Sequence, residues 1–174
     1  MKAKRISLDA LLTALALTIF TVELQIPSIV PIPGVKLGLA NIITIFAIFL
    51  LGPVDAAYIL LARIFLGGLL SGRVAALIYS FSGGVLCYAV MQILHRIVTK
   101  KQIWVCSVIG AIAHNTGQIA AAIFVTGTWT VVSYLPVLMV SGICAGACTG
   151  LAAQLVVRRS RNLLARRKQG GPFT

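Results

Sequence analysis

The sequence predicts an all-α integral membrane protein, a bundle of six transmembrane helices with both termini in the cytoplasm. Three observations carry that prediction. The 174 residues are 59% hydrophobic and only 10% charged, with a mean hydropathy of +1.02. A water-soluble exterior needs roughly a quarter of charged residues, which this chain lacks. Apolar runs recur along the whole chain, each close to the roughly 20 residues that cross a bilayer as a helix. Backbone groups in lipid must be satisfied within the segment, so these runs are helices; strand-like alternation is absent, which argues against a barrel. The cations, finally, sit in short clusters between the runs, as topology signals do.

The first helix is expected from about Ser7 to Ile29, led by Lys2, Lys4 and Arg5, with Ser7 as its cap and Asp9 near its positive end. It is long, holds Glu23 and has no small-residue cleavage site after it, so it reads as a retained helix rather than a signal peptide. Pro27, Pro31, Pro33 and Gly34 then break it and build a loop. A short second helix is expected from about Leu37 to Leu51. Gly52 and Pro53 form a tight break, and Pro53 suits a first helical turn. The third helix spans about Val54 to Leu70, the fourth about Val74 to Leu94, the fifth about Ile103 to Val125 and the sixth about Val131 to Val157. The division is therefore a basic N-terminus over residues 1–6, a transmembrane domain over 7–157 and a basic tail over 158–174.

Orientation follows from the cations. With the N-terminus inside, Lys2, Lys4, Arg5, Arg96, Lys100, Lys101 and the tail cations Arg158, Arg159, Arg161, Arg166, Arg167 and Lys168 all lie inside. Only Lys36 and Arg73 fall outside, and Arg63 lies within the third helix. That distribution, rather than a contiguous basic patch, is why the formal charge of +12 does not indicate nucleic acid.

Ionisable groups at membrane depth are costly and are functional suspects. Arg63 keeps its proton and needs an anion or a ring of carbonyls. Two readings stand: a buried pair with Glu23, or a ligand contact. Glu23 pairs with Arg63 or Lys36, or touches the substrate. Lys36 and Arg73 are site candidates on the outer side, although snorkelling to water explains each better. His114, Asn115 and Gln118 are three or four apart and form a polar set on the fifth helix, which suits either interhelical hydrogen bonding or a pocket. Asn41 and Tyr79 complete the candidate substrate site, whereas Trp129 reads as an interfacial belt residue. These candidates converge on the middle and outer half of the membrane. Their cations outnumber Glu23, which points to an anionic or phosphate-bearing ligand taken from outside.

Gly142, Gly146 and Gly150 recur every fourth residue on the sixth helix, as in close helix packing, within the chain or in a dimer. Cys87, Cys106, Cys144 and Cys148 show no CxxC spacing and read as buried free thiols. There is no phosphate-binding GxxxxGK[ST] loop. Asp9, Glu23 and Asp55 are the only acids, too few for a magnesium-binding diphosphate motif. No nucleophile set, metal cluster or cofactor site is visible, so the chain reads as a non-enzyme and as a small subunit of a larger machine.

The stretch Pro33-Gly34-Val35-Lys36-Leu37-Gly38-Leu39-Ala40-Asn41, followed by an apolar run and Leu51-Gly52-Pro53, resembles the Gx transporter family, also labelled heptaprenyl diphosphate synthase component I. That family is similar to the substrate-binding S components of energy-coupling factor (ECF) importers. The resemblance covers roughly Ser7 to Val157 and is most specific over Lys36 to Pro53. It implies a six-helix bundle with cytoplasmic termini in a bacterial cytoplasmic membrane. It implies that Ala10 and Ala14 match an AxxxA motif that docks on a membrane scaffold subunit, which works with two ATPase subunits. It implies that Pro31 to Lys36 match a loop lidding an outward-facing pocket. The family label and its relatives imply an alternative as well, a non-catalytic membrane subunit of a quinone, prenyl-lipid or flavin-based electron-transfer system. The resemblance does not carry a substrate, because S components differ most in their pockets.

Overall fold

The computed structural model describes residues 2–26, 38–72, 74–99 and 102–169, and the side chains of residues 3–160 among them. Those residues form six α-helices: α1 (Lys2–Gln25), α2 (Asn41–Leu50), α3 (Pro53–Ser71), α4 (Val74–Ile97), α5 (Ile103–Thr126) and α6 (Leu135–Gln169), with a 3₁₀ helix at Trp129–Tyr134. Five of the helices are long and apolar enough to cross a bilayer. Their outward faces are apolar as well, with Leu11, Phe65, Phe124, Val140 and Leu155 all exposed. A soluble protein does not tolerate such a surface, and a multi-pass membrane protein requires it.

Five boundaries differ from expectation by four residues or more, most of them for a local reason. Residue 26 is a bend, so α1 ends at Gln25 rather than near Ile29; the residue before a proline is pushed out of the helical region, and Pro27 follows. At its other end α1 begins at Lys2, five residues before Ser7. α2 begins at Asn41 rather than near Leu37, because residues 38–40 form a turn in which Gly38 takes a φ of 78°. That φ is open to glycine and strained for other residues. α6 begins at Leu135, with Pro136 in its first turn, where the missing N–H costs nothing. It then continues past Val157 to Gln169, through a stretch rich in the helix formers Leu, Ala, Arg and Lys.

At 10 residues α2 is about 15 Å long, half the hydrocarbon thickness. It is also the most enclosed element: it touches all five other helices and buries Asn41, Thr44, Ile45, Ala47, Ile48 and Phe49. The bundle thus wraps five long helices around a half-length one.

Small residues set the closest approaches. An added Cβ at Gly117 would lie 2.8 Å from the Ser82 carbonyl and 2.9 Å from Gly83 Cα, so α4 and α5 touch backbone to backbone there. Gly142 faces Asn115, Gly146 faces Val108 and Gly150 faces Trp104, all on α5. The four-residue glycine repeat therefore serves packing within the chain.

Contacts fix which helix ends lie together. Arg5 Nη2 is 2.7 Å from Asp55 Oδ2, and the Tyr88 hydroxyl donates to the Pro53 carbonyl at 2.8 Å. These join the start of α1, the start of α3 and the later half of α4 at one end of the bundle. An apolar cluster of Leu12, Ile48, Met91, Ile103 and Val157 fills that half. A second cluster, Tyr79, Ile119, Ala122, Val131 and Leu138, fills the opposite half. Cys87 and Cys106 are buried, but Cys144 and Cys148 are exposed, correcting the expectation of four buried thiols. They lie on the outward face of α6, where a thiol is apolar enough to meet lipid.

Candidate functional site

Between the two apolar clusters lies a polar layer, and the start of α2 sits in it. The position follows from the half length of α2, which begins part-way along the longer helices around it. Gly38 is the hub. Its backbone N–H donates to Glu23 Oε1 at 2.6 Å, joining the end of α1 to the entry of α2. A Cβ at Gly38 would lie 2.9 Å from Asn41 Nδ2, 2.9 Å from His114 Cδ2 and 3.1 Å from His114 Nε2. Only a glycine lets α5 approach the turn this closely.

Arg63 reaches the same layer from α3 and is 3% exposed. Its Nη2 donates to Asn41 Oδ1 at 3.3 Å, and Glu23 is an acid whose charge acts on it. Gly84 on α4 flanks the guanidinium, with a Cβ there lying 3.8 Å from Arg63 Nη2. Gly83, its neighbour, faces His114 Cε1 and Gln118 Cγ. Glu23, Asn41, Arg63 and His114 thus meet around residues 38–41, contributed by α1, α2, α3 and α5, with Gln118 beside His114 against Gly83, and all five are buried.

The hydrogen bonding of this layer is incomplete among the described residues. Arg63 Nε and His114 Nδ1 are buried without a partner. An unmet buried donor costs about 1–3 kcal/mol, and more when charged. The first amides of α2 do not share this shortage: Asn41 N–H donates to the Gly38 carbonyl at 3.0 Å and Ile42 N–H to the Leu39 carbonyl at 3.1 Å. The donor left over is the guanidinium, not the helix terminus.

Other sequence candidates fall elsewhere. Asn115 turns to the α5–α6 seam, where Nδ2 donates to the Leu138 carbonyl and Gly142 leaves it room; its Oδ1 is buried without a partner. Adjacent helical residues point about 100° apart, so His114 and Asn115 serve different neighbours. Tyr79 packs in the second apolar cluster with Ile119 and Leu138. Lys36 and Arg73 lie outside the described residues, as do Pro31 to Pro33 of the expected lid loop. Ala10 and Ala14 are exposed on one face of α1, with Leu11 beside them 58% exposed.

Sequence reasoning passed over Gly38 as a site residue. Its signal was a glycine between a polar loop and an apolar run, where a positive φ or a close approach is the usual cause. No group of three or more His, Cys, Asp or Glu side chains able to hold a metal occurs among the described residues.

A family model described as heptaprenyl diphosphate synthase component I matches residues 12–156. No curated protein and no solved structure matches the chain.

Proposed function

The chain belongs to the heptaprenyl diphosphate synthase component I family, and from that premise we propose that it is a non-catalytic membrane subunit that captures a small metabolite. The metabolite carries a carboxylate or phosphate, enters from outside and is held by Arg63, Asn41, His114, Gln118 and the Gly38 turn. One observation supports this above the others. Arg63 is a permanent cation in the core, and its Nε has no acceptor among the described residues while Asn41 takes one of its other donors. An anionic group placed there would meet the unfilled donor and lower the cost of burying the charge. Lys36 and Arg73 would add to the attraction at the outer mouth.

In this reading the subunit works as S components do, with an ECF scaffold subunit and two ATPase subunits supplied by other chains. Ala10 and Ala14 would form the docking face on α1; both are exposed, so leucine at either position leaves the core packing untouched. Ala10→Leu with Ala14→Leu should keep the protein folded and remove scaffold co-purification. The family description, a component of a synthase, favours a second reading, in which the chain is a non-catalytic membrane subunit of a quinone, prenyl-lipid or flavin-based system.

Gentle purification from the native membrane, followed by mass spectrometry of subunits and small molecules, separates the two. A scaffold, ATPases and a bound anionic metabolite are the expected result. A redox or prenyl-lipid partner with no ATPase and no metabolite would establish the second reading and make the Arg63 layer a packing feature.

A further inference from the structure

The opposite half of the molecule holds a groove that the metabolite site does not use. It lies between α1 and α3 at the end of the bundle where the basic N-terminus sits, has a volume of about 700 Å³ and opens to the side. Arg5, Asp9, Asp55 and Tyr58 line it together with apolar Ile6 and Ile59. Its chemistry is unlike the rest of the chain. The protein has three acids in total against fifteen Lys and Arg, and two of the three acids face this one groove.

Those two carboxylates are in different states. Asp55 is engaged: Arg5 Nε donates to its Oδ2 at 2.8 Å, and Arg5 Nη2 lies 2.7 Å away. Asp9 is held less closely: its Oδ1 is buried with no hydrogen-bond partner among the described residues, and Arg5 and Asp55 act on it through charge. Arg5 is 61% exposed, so one side of its guanidinium remains open to a second anion. The groove therefore offers an acceptor without a donor and, one turn away along α1, a cation with room for a phosphate. Its flanks are apolar and face outward, with Ile6 67% exposed and Tyr58 66% exposed. The cation distribution places this end in the cytoplasmic leaflet.

We propose that the groove binds the headgroup of an aminophospholipid, with the primary ammonium on Asp9, the phosphate on Arg5 and an acyl chain along Ile6 and Ile59. Charge complementarity selects this occupant. A quaternary ammonium has no N–H to give Asp9 Oδ1, and an anionic headgroup without an amine meets two carboxylates with nothing to offer them. A zwitterion bearing a primary amine matches Asp9 and the open side of Arg5 at once, with Asp55 already paired to Arg5. Because Ala10 lines the same groove, a bound lipid would also lie beside the face assigned above to scaffold docking.

The test uses the full chain in nanodiscs of equimolar phosphatidylethanolamine and phosphatidylcholine, with native mass spectrometry of the lipids it retains. The wild-type chain should retain the ethanolamine lipid about tenfold over the choline lipid, the worth of one charge-assisted hydrogen bond. Asp9→Asn should lose that preference, and Ile6→Trp, which fills the groove and leaves both carboxylates in place, should lower retention of the ethanolamine lipid. Equal retention of the two lipids by the wild-type chain would overturn the proposal, whatever the variants do. So would an unchanged preference in Asp9→Asn, or a co-purifying protein segment seated in the groove in place of lipid.

Discussion

The polar layer around Arg63 and the groove around Asp9 are two forms of the same physical situation, an unmet polar atom in a chain built for lipid. In the layer one atom unmet among the described residues is a donor on a cation, enclosed by α1 to α5. In the groove it is an acceptor on a carboxylate, set in a cleft that opens sideways. Enclosure is the difference that matters. An enclosed donor can discriminate among solutes, because a ligand there gives up its water and must match every neighbour. An open cleft beside apolar outward faces would meet what is already abundant there, and a lipid headgroup in it would remain partly in water. The two regions are also joined differently to the fold. The layer is tied by Gly38, a single turn that α1 and α5 both contact, whereas the groove is tied by the ion pair between Arg5 and Asp55.

Arg63→Gln is the sharpest way to separate the two regions. Truncating one member of a buried charge pair costs about 2–5 kcal/mol, so metabolite affinity should fall at least about thirtyfold, measured by titrating the released metabolite back onto purified protein. The corresponding change in the groove, Arg5→Gln, should leave that affinity unchanged; a loss there would mean the regions are coupled. A smaller effect is expected from Gly38→Ala. The φ of 78° and the 2.9 Å approaches to Asn41 and His114 should cost about 1–3 kcal/mol in stability, seen as a lower unfolding midpoint in detergent together with weaker metabolite binding. Asn115→Leu should cost about 1–2 kcal/mol through the lost bond to the Leu138 carbonyl, with metabolite affinity retained, because Asn115 faces α6. The smallest effect on the fold belongs to Asp9→Asn, which should alter lipid preference alone. A change in metabolite affinity in that variant would break the separation of the two regions.

The five long helices were legible in the sequence because hydropathy and length decide them, and lipid removes the competing alternatives. That α2 is short was legible, but its start at Asn41 rather than near Leu37 was not. The apolar run after Lys36 is continuous, and only the conformation of Gly38 marks where the helix begins. The sequence suggested that Glu23, Asn41, Arg63, His114 and Gln118 converge; all five are buried, and the Gly38 turn with Asn41 brings the first four together. The parting of His114 from Asn115 required knowing which helix packs on which side of α5; Gly142 makes room for Asn115, and that pairing is a property of the tertiary fold. The groove was hidden for a related reason. Asp9 reads as a residue near the positive end of a helix and Asp55 only as one of three acids, and the packing of α1 on α3 brings them together.

The most direct test of the central claim is a mass spectrum of the small molecules released from the wild-type chain and from Arg63→Gln, each extracted with its surrounding native membrane. A carboxylate- or phosphate-bearing compound is expected with the wild-type chain and its loss from the variant, while both proteins stay folded. An empty wild-type chain, or the same compound held equally by both, would contradict it and return Arg63 to a structural partnership with Glu23.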